Sequence, residues 1–96
     1  MDWSTHLTGF FKAVANDARM SPAHISLYMA LFHLYLKNGT QNGVFFSSYE
    51  VMPLAKIDSR ATYHKCLRDL VECGYIEYVP SYNPFLKNLA YLKEKQ

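Results

Sequence analysis

Apolar residues recur along most of this chain at intervals of three and four, and at intervals of two only near its end. The longer spacing begins with Leu7, Phe10, Phe11 and Val14, which predicts a helix over residues 4–18. Ser4 stands where that helix needs a cap, and Gly9 weakens its middle a little. From Ala18 to Pro22 the pattern breaks. Ser21-Pro22 restarts it, a capping residue followed by proline at the first helical position, where a missing N–H costs nothing. From Pro22 to about Lys37 nearly every side is apolar: Ile25, Leu27, Tyr28, Met29, Leu31, Phe32, Leu34, Tyr35 and Leu36. Such a helix is central to a core, or is covered by a partner on its second face. Asn38-Gly39 stops it, with Gly39 suited to a left-handed cap.

Asn42-Gly43 predicts a turn and Val44-Phe45-Phe46 a short strand. Ser47 and Glu50 have capping-box spacing at the head of a third helix, in which Val51, Leu54 and Ala55 face inward. Pro53 should kink or shorten that helix, and Ile57-Asp58 turns the chain. A fourth helix runs from Ser59 to Cys73, capped by Asp58 or Ser59. Its inner stripe is Tyr63, Cys66, Leu67, Leu70 and Cys73, while Arg60, Ala61, His64, Lys65 and Arg68 point away. Gly74 ends it, and the period then drops to two. Tyr75 to Val79 alternates as a strand, and Asn88 to Leu92 pairs with it across a loop enforced by Pro80, Asn83 and Pro84. Lys93-Glu94-Lys95-Gln96 reads as a frayed charged tail. The predicted order is α-α-β-α-α-β-β, a mainly α domain of the α+β class with a small β-hairpin. No repeat, low-complexity tract or linker divides residues 1–96.

Composition narrows the function classes. A chain of 96 residues, half of them hydrophobic and 16% aromatic, suits one folded domain and not a disordered segment. No apolar run approaches the roughly 20 residues of a bilayer span. The start, MDWSTHLTGFF, lacks the marks of a secretion signal, so no membrane partner and a cytoplasmic location are expected. Cys66 and Cys73 fit that expectation. Seven residues apart on one helix, they stand about 10 Å apart along its axis, too far for a disulfide. They read as buried thiols in a reducing compartment.

His6, His24, His33 and His64 share no short ligand spacing, and His33 on an apolar helix reads as a core group. No nucleophile elbow, phosphate loop or dinucleotide signature occurs, nor a pair of acids in a recognisable pocket. The chain therefore does not read as an enzyme, and no cofactor, metal or small-molecule ligand is expected.

A formal charge of +2 and a pI of about 8.5 do not by themselves argue for nucleic acid. The distribution says more. Between Lys56 and Arg68 stand Lys56, Arg60, Lys65 and Arg68 against one acid, Asp58, with Asp69 and Glu72 behind them. A local basic patch binds phosphate even on a nearly neutral domain.

The stretch SRATYHKCLRDLVECGYIEY resembles the recognition helix and first wing strand of winged helix-turn-helix DNA-binding domains. Those commonly read Ser-Arg-x-Thr, an apolar residue, then a small residue followed by Leu-x-x-x-Gly-apolar-Ile. The matching residues are Ser59, Arg60, Thr62, Tyr63, Cys66, Leu67, Leu70, Gly74, Tyr75 and Ile76. The wider run from HISLYMALFHLYLKNG to PSYNPF is similar to small winged-helix proteins of bacterial mobile elements, described as transcriptional regulators or replication-type proteins. It covers roughly residues 5–92. Pro53 departs from the pattern, which has a helix former there.

The resemblance implies sequence-specific binding of double-stranded DNA, with the helix from Ser59 to Cys73 in the major groove. Arg60 in its first turn is the candidate for guanine O6/N7 or a phosphate. Ser59 and Thr62 are candidates for phosphate beside a capping role. Lys65 is a phosphate candidate, His64 a base-edge or backbone candidate, and Arg68 and Lys56 rim candidates. In the wing, Tyr82, Asn83, Lys87 and Asn88 are placed to meet the backbone or minor groove. Trp3, Phe10, Phe11, Tyr28, Phe32 and Tyr35 are more aromatics than one small core easily hides. An aromatic core explains them, and so does a homodimer through the N-terminal and second helices, the expectation preferred here. The alternative function is a winged helix used as a protein-interaction module, which the weak net charge and aromatic wing favour.

Overall fold

Among the described residues, three of the four helices start where a side chain takes up free N–H groups of the first turn. In the computed structural model, which describes residues 2–39, 43–83 and 86–95, the elements are α1 (Trp3–Ala15), α2 (Pro22–Asn38), β1 (Val44–Phe46), α3 (Ser48–Ala55), α4 (Arg60–Glu72), β2 (Ile76–Val79) and β3 (Asn88–Leu92). Their order is the one that the hydrophobic spacing predicts. The cap of α1 is Asp2 and not Ser4: its Oδ1 accepts from the Ser4 N–H at 3.1 Å, and its Oδ2 from the Thr5 hydroxyl at 2.8 Å. The carboxylate also favours the positive end of the helix. Ser47 and Glu50 form the expected capping box, Glu50 N–H to Ser47 Oγ at 3.3 Å and Ser47 N–H to Glu50 Oε1 at 3.2 Å. Ser59 caps α4 through the Thr62 N–H at 3.2 Å.

Helix α3 passes through Pro53 and ends two residues later, where Lys56 takes the left-handed conformation at φ 58°. A helix this short buries one face, Val51 and Ala55, one turn apart. Leu54 is therefore exposed, against expectation, and lines a shallow groove with Ser26, Met29, Ala30 and His33. His33 is exposed too, and not a core group.

Gly39 has an extended backbone, with φ −72°, so the left-handed cap expected there is absent. Glycine stands at that position because a Cβ would run into the carbonyl and ring of Tyr35. The predicted turn at Asn42 and the loop at Pro84 lie outside the described residues.

The three strands form one antiparallel sheet in the order β1-β3-β2. Val44 faces Ala90 across β1 and β3, and Ile76 faces Leu92 across β2 and β3. Val44, Phe46, Ile76 and Ala90 point into the core, while Phe45 and Val79 flank Leu89 on the outer face. Helix α2 lacks a polar face because it is central: it packs on α3, α4 and β1. Its Leu27, Tyr28 and Leu31 are fully buried with Val51, Tyr63 and Leu70. Each such side chain contributes about 1.5–3 kcal/mol relative to exposure.

Helix α1 closes the far side. Phe10 stacks on Tyr28 with ring centroids 3.9 Å apart and meets Tyr75 edge-on, and buried His6 bonds the Tyr28 hydroxyl through Nε2 at 2.5 Å. Gly9 does more than weaken the helix, since any Cβ there would overlap the Lys95 carbonyl. Of the expected tail, Lys93 and Lys95 are held: Lys93 N–H bonds Tyr75 O at 3.0 Å, and Lys95 Nζ lies 4.4 Å from the Tyr75 ring centroid, while Gln96 lies outside the described residues. Asp17 accepts from Arg19 Nε and Nη2, both at 2.8 Å, and from the Tyr75 hydroxyl at 2.9 Å, joining the α1–α2 loop to the start of the hairpin. The Arg19 guanidinium holds that carboxyl well below the usual carboxylate range. Phe10, Tyr28 and Phe32 are thus spent inside the domain, while Trp3 and Phe11 stay exposed. No helix among the described residues is long and apolar enough to cross a membrane.

Candidate nucleic-acid interface

The turn between α3 and α4 presents the head of α4 to solvent. Ile57 is buried and anchors it, and the left-handed Lys56 reverses the chain so that Ser59 can cap the next helix. The amphipathic pattern buries Tyr63, Cys66, Leu67 and Leu70, and leaves Arg60, His64 and Arg68 exposed as one row with a spacing of four. Among the described residues no carboxylate lies within ion-pair distance of Lys56, Arg60 or Arg68. Arg60 Nη1 donates to Ser48 Oγ at 3.4 Å, and its guanidinium carbon lies 5.5 Å from the centroid of the Tyr49 ring. Lys56 and Arg60 line an open groove of about 470 Å3 with Ser48, Tyr49 and Asp58. His64 and Arg68 flank a second, more apolar groove of about 280 Å3 against Leu67, Val71 and Tyr78. Burial pushes the Tyr63 phenol behind this row up to about 12, so it stays neutral.

Two predicted cations are already engaged. Lys65 Nζ lies 2.9 Å from Asp69 Oδ2, one turn along α4, and that carboxylate raises the ammonium. Lys87 Nζ lies 2.8 Å from Glu50 Oε1, tying the loop before β3 to the head of α3. Exposed pairs of this kind are worth about 0–1 kcal/mol, so a phosphate can displace the carboxylate. Ser59 Oγ is taken up by its cap, whereas the Thr62 side chain is exposed beside it. Lys56, Ser59, Arg60, Thr62, His64, Lys65 and Arg68 therefore share one turn and one helix, whereas Lys87 lies in the loop before β3 and pairs with Glu50 of α3. Between β2 and β3, Asn88 Oδ1 accepts the Ser81 N–H at 3.0 Å, while Tyr82 is 94% exposed and does not pack back. Beside it Phe45, Val79, Pro80, Leu86 and Leu89 line an apolar groove of about 320 Å3.

Sequence reasoning missed a network behind α4. Ser21 Oγ lies 2.7 Å from His24 Nδ1, and His24 Nε2 lies 2.8 Å from Asp69 Oδ2. A serine, a histidine and an aspartate in a line suggest a nucleophile with its base. The backbone decides otherwise. Ser21 N–H must donate, and does so to His24 Nδ1 at 3.0 Å, so Nδ1 carries the lone pair and Nε2–H donates to Asp69. The lone pair that would activate the hydroxyl is engaged in capping α2. The Asp69 carboxyl is held below its ordinary value by His24 first and Lys65 second. Ser-x-x-His at a helix start was a readable signal for the cap, but nothing local announces Asp69 as its distant partner.

Among the described residues no three His, Cys, Asp or Glu side chains converge to hold a metal ion. Cys66 and Cys73 are free thiols, the first buried and the second half-buried. In comparisons with protein-family models, curated proteins and solved structures, the chain matches none.

Proposed function

We propose that this chain is a winged helix-turn-helix domain that binds double-stranded DNA sequence-specifically through α4, in transcriptional control or mobile-element maintenance. The observation that carries this reading is the exposed row Arg60–His64–Arg68, free of acidic partners among the described residues, with Lys56 at its head. The sheet order supports the topology, since β1 precedes α3 in sequence yet pairs with β3 of the hairpin that follows α4. Arg60 and His64, in the first half of α4, read base edges, because that end of a recognition helix enters the major groove. Lys56, Ser59, Thr62 and Arg68 hold phosphates, joined by Lys65 and Lys87 once their carboxylates are displaced. Trp3 and Phe11, the aromatics of α1 left outside the core, supply its part of a homodimer contact. Titration against duplex DNA at several salt concentrations tests the reading. About four phosphate contacts give a log–log slope of roughly −3 to −4. Absence of salt-dependent binding at low ionic strength overturns it.

The apolar outer face of the sheet favours a second reading, a protein-interaction module: Phe45 is 55% exposed and Leu86 65%. The double change Arg60→Ala, Arg68→Ala separates the two. It weakens DNA binding by at least roughly 30-fold under the first reading and leaves partner capture intact under the second.

A further inference from the structure

We propose that Tyr49 is a positioning residue for Arg60, and that its ring fixes the guanidinium in the orientation that reads one base pair. The inference rests on the DNA-binding reading above. Tyr49 is the second residue of α3 and stands 81% exposed. It contributes nothing to the core that a serine or lysine would not.

What it does have is Arg60. The guanidinium carbon sits 5.5 Å from its ring centroid, and the neighbouring Ser48 hydroxyl takes one Nη1 hydrogen at 3.4 Å. Both restraints come from α3, the helix before the reading helix, and both are neutral. The contrast with the lysines is chemical. A carboxylate, as at Lys65 and Lys87, neutralises the cation and must be displaced before a phosphate or base can be held. An aromatic ring attracts a cation without accepting its in-plane N–H bonds. Arg60 has five N–H donors and Ser48 occupies one, so the fork needed for guanine O6 and N7 remains open. A long side chain that is already oriented loses less rotamer freedom on binding. The turn holding the two helix heads together is rigid for its own reasons, buried Ile57 and left-handed Lys56. The positioning role requires the Tyr49–Arg60 contact to persist in the free protein.

The test uses Tyr49→Ala and Tyr49→Phe in the full chain, with duplexes enriched from a random library and single base-pair variants of them. Tyr49→Phe retains wild-type affinity and discrimination. Tyr49→Ala loses roughly 2- to 5-fold on the best duplex, the scale of one exposed cation–ring contact. That loss is confined to discrimination at the base pair that Arg60→Ala also ceases to read. The salt slope is unchanged, because no phosphate contact is removed. In the free protein, the Arg60 δ protons resonate upfield from ring current and return to ordinary positions in Tyr49→Ala. Wild-type protein that binds duplex, with Tyr49→Ala discriminating equally well, overturns this inference and leaves the DNA-binding reading standing. A uniform loss across all duplexes with a shallower slope also overturns it, because Tyr49 would then touch the backbone itself. Wild-type protein that binds no duplex overturns both.

Discussion

The outer row of α4 and the outer face of the sheet both lie on the surface and both carry cations, yet they differ in what those cations meet. On α4, no carboxylate among the described residues lies in ion-pair range of Arg60 or Arg68, and Arg60 rests on a ring and a hydroxyl. At the edge of the sheet, just before β3, Lys87 is paired with Glu50 and lines a groove with Phe45, Val79, Leu86 and Leu89. Charge counted along the sequence treats these cations alike. Their availability to a polyanion is set by tertiary neighbours, and under the proposed DNA-binding reading it favours α4 over the β2–β3 hairpin.

The sharpest way to break this comparison is to damage each surface separately. Arg60→Ala with Arg68→Ala is expected to cost about 2–4 kcal/mol of duplex binding, from one base-reading contact of about 1–3 kcal/mol and one phosphate contact. Val79→Ser with Leu86→Ser, on two exposed positions of the hairpin, is expected to change duplex affinity by less than about 3-fold, as surface changes usually stay within half a kcal/mol. Fluorescence anisotropy on one labelled duplex measures both. Equal losses would place the wing on the DNA and dissolve the distinction.

A smaller effect comes from the turn that aims α4. Lys56 holds φ 58°, a conformation that costs a residue with a side chain about 1–2 kcal/mol relative to glycine. Lys56→Gly relieves that strain but gives the unfolded chain more freedom, so the net gain is expected to be about 0.5–1 kcal/mol. Chemical denaturation measures it. The same change removes a free cation at the head of α4 and is expected to make the salt slope shallower by about 0.9. A slope left unchanged would take Lys56 out of the interface.

The two surfaces also differ in how much of them the sequence discloses. Period and punctuation carried the order of elements: Ser47 with Glu50, Ser59, and Gly74 at φ 80° each mark an end through chemistry confined to a few neighbours. The buried stripe of α4 was legible because a helix repeats its own geometry, and the exposed row is its complement. Leu54 and His33 were misread because spacing says that a face is apolar, not whether anything covers it; α3 is too short to shield that side of α2. The left-handed cap at Gly39 was misread and the packing role of Gly9 was invisible, because both glycines answer to close approach, to the preceding helical turn in one case and to a distant carbonyl in the other. The pairs Lys87–Glu50 and His24–Asp69 join separate elements, so no local pattern contained them.

Those pairs give the finest test, because one operation can be performed on both surfaces. Asp69→Asn releases Lys65 on α4, and Glu50→Gln releases Lys87 beside the wing. Each freed cation that reaches a phosphate steepens the salt slope by about 0.9 and raises affinity at low salt by roughly 2- to 5-fold. The expectation is that Asp69→Asn does so and Glu50→Gln does much less. Stability supplies a control for each. Both carboxyls are held below their ordinary values, Asp69 by His24 and then Lys65, Glu50 chiefly by Lys87. A carboxyl depressed in the folded state stabilises the fold above its unfolded value, and that contribution is lost as pH falls through the folded value. Both variants should therefore flatten the acid limb of the thermal stability profile below about pH 4, whichever surface meets DNA. If both flatten that limb and both steepen the salt slope equally, the wing cation reaches the phosphates as readily as the helix cation. Neighbouring chemistry would then not be what separates the two faces.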